Sequence, residues 1–157
     1  PEELLWKDTP PEEVGNYDYL IDILDWERNV DPDFYQRFFM APKPVRPLEE
    51  MQAEGYVEEW ICYKSKKVSA KRLTVFPGRA VTIRDNAAYG LYMLQGHGKL
   101  GSWDIETPSS IRYGQLTNDE FFVTEPSARE GVTIVNPSSS DPIVMLKHFA
   151  ENPDLPE

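Results

Sequence analysis

From Tyr56 onward, apolar and polar residues alternate with a period of two, as in Leu73-Thr74-Val75 and Val81-Thr82-Ile83-Arg84. That period belongs to strands with one face buried and the other wet. Turn formers interrupt it at regular intervals: Phe76-Pro77-Gly78, Gly96-His97-Gly98, Thr107-Pro108-Ser109, Thr117-Asn118-Asp119, Pro126-Ser127 and the run from Pro137 to Pro142. They divide the chain into predicted strands over 56–63, 67–76, 79–84, 88–95, 97–103, 110–115, 120–125, 131–136 and 142–149. No helical period intervenes. Eight or nine short strands in a row predict an all-β antiparallel structure, closed or folded into two sheets.

The first 55 residues follow another pattern. Asp18, Asp22 and Asp25 fall on one helical face, with Leu20, Ile23 and Leu24 on the other, so the spacing predicts a short amphipathic helix over 16–27. Asp31-Pro32 predicts an N-cap with proline at the first helical position, opening a second helix that runs to Phe39. Pro42, Pro44 and Pro47 make the next segment extended, and Leu48–Glu54 predicts a further helical turn or two. The expected plan is an N-terminal helical and extended arm (1–55), a β-barrel (56–150) and a C-terminal tail (151–157). The arm carries Trp6, Tyr17, Tyr19, Trp26, Phe34, Tyr35, Phe38 and Phe39, too many aromatics for a free tail. It is expected to pack on the barrel or on a partner chain, which makes a homodimer, or docking on the remainder of a longer chain, the expected assembly.

Composition narrows the class. With 157 residues, 40% of them hydrophobic, the chain is long enough for one domain with a real core. A net charge of −11 disfavours nucleic acid and anionic lipid as partners. No apolar run reaches the roughly 20 residues of a membrane helix. The acidic Pro1-Glu2-Glu3 start lacks the positive region of a signal peptide, so a cytoplasmic setting is expected. A first residue other than Met also suggests a piece of a longer chain. Cys62 is the single cysteine, which suits a reducing compartment and reads as a small hydrophobe within the Trp60–Tyr63 strand.

The segment from Phe76-Pro77-Gly78 to Tyr92-Met93-Leu94-Gln95-Gly96-His97-Gly98 resembles the first motif of the cupin superfamily, the RmlC-like jelly rolls. That motif runs from a glycine through His-x-His and Glu to a closing glycine. Gly78 and Gly96 match its ends. Tyr89 stands at the Glu position, and the His-x-His positions fall on Thr82 and Arg84, or on Ile83 and Asp85 with a shorter spacer. Of the second motif Gly114, Pro126 and Asn136 remain, while the histidine position falls at or near Val132. The resemblance implies a cupin-type antiparallel jelly-roll barrel from which all four usual ligands are missing. Neither a metal nor another cofactor is therefore expected. His97, between two glycines, is expected to face solvent. His148 in the last strand could take either face, and Asp85 with His148 could share an ion. The Trp26–Phe34 stretch, with Gln95-Gly96-His97-Gly98, also looks similar to poorly characterised bacterial proteins akin to mannose-6-phosphate isomerase. This implies a cupin region near the C-terminal end of a larger protein.

Candidate chemistry gathers on the basic residues Lys64, Lys66, Lys67, Lys71, Arg72, Arg79 and Arg84, seven of the sixteen in the chain. They read either as a site for a small anion such as a sugar phosphate or as a solvated hairpin and surface strand positions. Arg84 occupies a former ligand position, so it is expected to turn into the barrel mouth and pair with Asp85, Glu130 or a bound anion. Lys71, Thr82, Tyr89 and Tyr92 are the other expected lining residues of a ligand pocket. Trp103 and Tyr113 read as core or as a stacking surface for a sugar ring, and Asp119, Glu120 and Glu125 as solvated charges. No glycine-rich phosphate loop or nucleophile elbow is present, so no catalytic residue is assigned and whether the chain is an enzyme stays open. Two readings stand. One is a structural or dimerisation module of a larger sugar isomerase-like protein. The other is a carbohydrate or sugar-phosphate binding domain, isomerase-like if it is an enzyme, with Arg84 and Lys71 holding the anion.

Overall fold

The computed structural model describes residues 2–65, 67–108, 113–114 and 116–150. The chain divides into two compact units, Pro1–Phe39 and Met40–Glu157.

Among the described residues the second unit holds ten strands: β1 (Lys43–Pro44), β2 (Tyr56–Cys62), β3 (Ser69–Val75), β4 (Ala80–Ile83), β5 (Tyr89–Gln95), β6 (His97–Leu100), β7 (Trp103–Glu106), β8 (Glu120–Val123), β9 (Val132–Val135) and β10 (Ile143–Phe149). From β3 onward they pair as nested antiparallel hairpins: β3 with β10, β4 with β9, β5 with β8, and β6 with β7. Pairing of β10 with β5 and of β6 with β9 then gives two sheets, β1-β2-β3-β10-β5-β8 and β4-β9-β6-β7. A long hairpin folded over on itself in this order is a double-sheet jelly roll, the expected fold class. Alternation fills its interior with Leu73, Val75, Leu91, Met93, Ile134 and Met145, all essentially inaccessible.

Local chemistry explains where the strands depart from expectation. The predicted strand 97–103 is two strands, because Gly101 takes φ +59° in a tight turn between β6 and β7. The predicted strand 120–125 ends at Val123. Thr124 is the N-cap of a helix over Glu125–Glu130, with Pro126 in its first turn, so the Pro-Ser signal marks a helix start. The predicted strand 110–115 lies mostly outside the described residues, and Tyr113 and Gly114 form a turn. The tail 151–157 also lies outside them.

Residues 40–55, grouped with the arm in the sequence reading, fall in the barrel unit. Strand β1 pairs with β2, Lys43 opposite Trp60. The helix Leu48–Glu54 forms where expected, buries Met51 completely, and ends at Gly55 in the left-handed region (φ +97°).

The first unit consists of short helices: α1 (Glu2–Leu5), a 3-10 turn (Pro11–Glu13), α2 (Tyr17–Asp22), α3 (Trp26–Asn29) and α4 (Phe34–Phe38). The helix predicted over 16–27 breaks in two, since Asp25 caps a new start by accepting from the Arg28 amide at 3.1 Å. Asp31 accepts from the Asp33 amide at 2.9 Å in a turn, which moves the N-cap of α4 to Asp33. None of the described residues of this unit is buried. Among the described residues, no helix of either unit is long and apolar enough to cross a membrane.

Candidate functional site

The barrel interior contains charge. On β10 the alternation Ile143, Met145, Lys147, Phe149 points Lys147 inward, and on β3 Lys71 stands directly opposite it. Two lysines facing each other on neighbouring strands repel, so the site needs carboxylates. Asp85, just past β4 in the other sheet, supplies one. Its Oδ1 accepts from Lys71 Nζ at 2.8 Å and its Oδ2 from Lys147 Nζ at 2.6 Å. Glu58 on β2 supplies the second, its Oε1 ion-paired with Lys147 Nζ. Relative exposures of 4% for Lys71, Asp85 and Glu58 and 0% for Lys147 place all four charges out of water. At that depth unpaired charge is very costly, and two ammonium groups against two carboxylates leave none.

Aromatic rings close around the quartet. Lys71 Nζ lies 4.4 Å from the Trp60 ring centroid and 5.3 Å from that of Phe149, and Lys147 Nζ lies 5.1 Å from that of Tyr89. Burial pushes the Tyr89 phenol well above its usual pKa, and the negative charges of Asp85 and Glu58 add to the shift. The backbone amide of Asp85 donates to the Ala128 carbonyl at 3.0 Å, which anchors the carboxylate to the helix after β8.

A cleft of about 390 Å³ opens beside the quartet. Its floor includes Lys71 and Asp85, and its rim includes Thr82, Arg84, Arg46 and Tyr56. Arg46 is already engaged, donating to Glu54 at 2.5 Å and to the Tyr56 hydroxyl at 3.0 Å. Thr82 shares a 2.9 Å hydrogen bond with Thr133.

The structure brings three of the five expected lining residues, Lys71, Thr82 and Arg84, to this cleft. Arg84 does not turn into the barrel. The phase of β4 buries Val81, Ile83 and Asp85 and leaves Thr82 and Arg84 exposed, so Asp85 takes the inward ligand position. Tyr89 is buried beneath the quartet. Tyr92 lies on the other face of β5, in a separate cavity with His148, Gly90 and Glu120. His148 is exposed and points away from Lys147's side of β10, so it cannot share an ion with Asp85. His97 is exposed, as expected. Asp119 is buried rather than solvated.

The donor set does not suit a transition metal. Asp85 and Glu58 are its only carboxylates, both are taken by ammonium groups, and no imidazole faces them. Among the described residues no group of three or more His, Cys, Asp or Glu side chains converges. Sequence reasoning passed over Glu58 and Lys147. The signal was there: each interrupts an alternating strand at an inward position, Glu58 between Tyr56 and Trp60, Lys147 between Met145 and Phe149.

No protein-family model matches the sequence, and no curated protein sequence matches it. Among solved structures, the chain is similar to an RmlC-like cupin from Ralstonia eutropha JMP134, at 11% identity over 71% of this chain and 63% of that one, with a TM-score of 0.46. It is similar to an RmlC-like cupin with a double-stranded β-helix fold from Methanocaldococcus jannaschii, at 15% identity over 74% and 94% of the two chains, TM-score 0.44. It is also similar to a chain in the Rhodobacter sphaeroides complex of SigE with the anti-sigma ChrR, at 11% identity over 92% and 72%, TM-score 0.47. The chain thus spans less than two thirds of the Ralstonia protein's length. The nested strand pairing defines this domain as a double-sheet antiparallel jelly roll.

Proposed function

We propose that this domain is a structural and assembly module of a longer protein, its barrel centre closed by an ion quartet instead of a metal. The observation that carries the reading is Lys147 Nζ, ion-paired with both Asp85 and Glu58 inside the barrel. Aldose–ketose isomerisation needs a base free to move a proton between adjacent carbons and an electrophile on the carbonyl. Here both interior carboxylates are engaged by ammonium groups, which supports a non-catalytic role. The sugar isomerase-like character of the longer protein rests on sequence resemblance alone. Assembly with a second copy or with the rest of that protein is part of the proposal.

A second reading is supported by Arg84. Its side chain is exposed at the cleft rim, makes no ion pair among the described residues, and lies in the same cleft as Lys71. A hexose phosphate or a similar small anion could bind there through the guanidinium. A thermal-shift screen with hexose phosphates separates the two readings. Stabilisation abolished by Arg84→Ala would establish the binding site, whereas the module reading expects no response to any of them.

A further inference from the structure

The unit Pro1–Phe39 presents surface that its own fold does not use. Thirteen of its large hydrophobic side chains are exposed, from Leu4 to Phe39, with Tyr35 at 63% and Phe34 at 51%. On α4 and its C-cap residue Phe39 the apolar residues form one face. Phe34 packs on Phe38 with ring centroids 4.8 Å apart, and Tyr35 stacks on Phe39 at 4.5 Å. Both pairs follow the i, i+4 spacing, so the four rings stand side by side along the helix. A patch of this kind marks an interaction surface.

Charge narrows what can cover it. Residues 1–39 contain eleven Asp and Glu against three Lys and Arg, so this quarter of the chain carries −8 of the net −11. Two of the three cations are tied up within the unit, Arg28 to Asp25 and Arg37 to Asp31, each at 3.2 Å. Two such arms would repel each other, and a nucleic acid or an anionic membrane would repel them as well. A basic protein surface with an apolar groove satisfies both halves of the pattern.

We propose that Pro1–Phe39 is a docking arm that seats the aromatic face of α4 in the apolar groove of a basic partner protein, distinct from this chain. The inference builds on the assembly reading above and names the chemistry of one partner. Metal or isomerase activity in the chain would overturn that reading without touching the arm.

The test is a fluorescence anisotropy titration of the full chain with labelled amphipathic helical peptides. The probe has leucine on one face and lysine on the other. One control replaces the leucines by serine and another replaces the lysines by glutamate. The expected result is saturable binding of the leucine–lysine peptide alone, weakened as salt rises and by about tenfold or more in the Tyr35→Ser/Phe38→Ser variant. That variant is also expected to leave thermal unfolding of the barrel unchanged. Absence of binding, equal binding of the serine–lysine control, or binding untouched by the double substitution would overturn the proposal. Arm-dependent self-association of the full chain in sedimentation velocity would also overturn it, in favour of a second copy as the occupant.

Discussion

Lys147 donates to Asp85 at 2.6 Å across the inside of the barrel, from the last strand of one sheet to the end of a strand in the other. The pair joins the two sheets at the barrel centre. The ammonium groups of Lys71 and Lys147 do there what a metal ion would do, neutralising Asp85 and Glu58 from within the chain. Because both partners are buried, removing one leaves the other as an uncompensated charge.

Lys147→Ala is therefore expected to cost about 3–5 kcal/mol of unfolding free energy. Equilibrium urea denaturation measures it. Replacing one cation and one anion together, as Lys147→Met with Glu58→Gln, leaves the Lys71–Asp85 pair in place and should recover a large part of the loss. A Lys147→Ala protein as stable as wild type would mean that the quartet contributes nothing.

The Gly96-His97-Gly98 segment has a packing role that can be tested in the same way. A Cβ on Gly98 would run into the Val135 carbonyl oxygen and come within 2.7 Å of Ile143 Cδ1. Strand β6 can approach β9 and β10 only because that position has no side chain. Gly98→Ala is expected to destabilise the barrel by about 1–3 kcal/mol, read as a lower thermal midpoint. His97→Ala next to it, on an exposed side chain, should leave the midpoint unchanged.

Alkaline pH probes the same interior from another side. Burial, with Asp85 and Glu58 nearby, raises the Tyr89 phenol pKa, so the folded state holds that proton at a pH where the unfolded chain has lost it. Stability from this source is intact below about pH 10, the usual tyrosine value, and falls as pH rises beyond it. Tyr89→Phe should flatten that decline. Phenolate absorbance during an alkaline titration should show a late-ionising tyrosine in the wild type that the variant lacks.

How much of this was legible in the sequence depended on the residue. The turn signals at Phe76-Pro77-Gly78 and Gly96-His97-Gly98 located strand ends well, because glycine with positive φ leaves a mark that packing does not override. Asn136 was legible as a motif position, though its work is structural. Its amide donates to the Val75 and Asp141 carbonyls at 3.0 and 2.9 Å, and its oxygen accepts from the Ser138 amide. The phase of β4 was harder, since Thr82-Ile83-Arg84-Asp85 alternates equally well in either direction. What settles it is Lys71 and Lys147 on the opposite sheet, which draw Asp85 inward and leave Arg84 outside. The helix after β8 was missed because Pro126-Ser127 reads equally as a turn or as a first helical turn. Long-range partners decide such cases, and a local pattern does not contain them.

In the proposed reading, ammonium groups and not a metal ion neutralise the carboxylates of the barrel centre. Metal analysis by inductively coupled plasma mass spectrometry of the purified chain, expressed in metal-supplemented medium, tests it most directly. The expected result is substoichiometric Zn, Mn, Fe and Ni, unchanged in the Asp85→Asn variant. Stoichiometric binding of any of them, lost on Asp85→Asn, would contradict it.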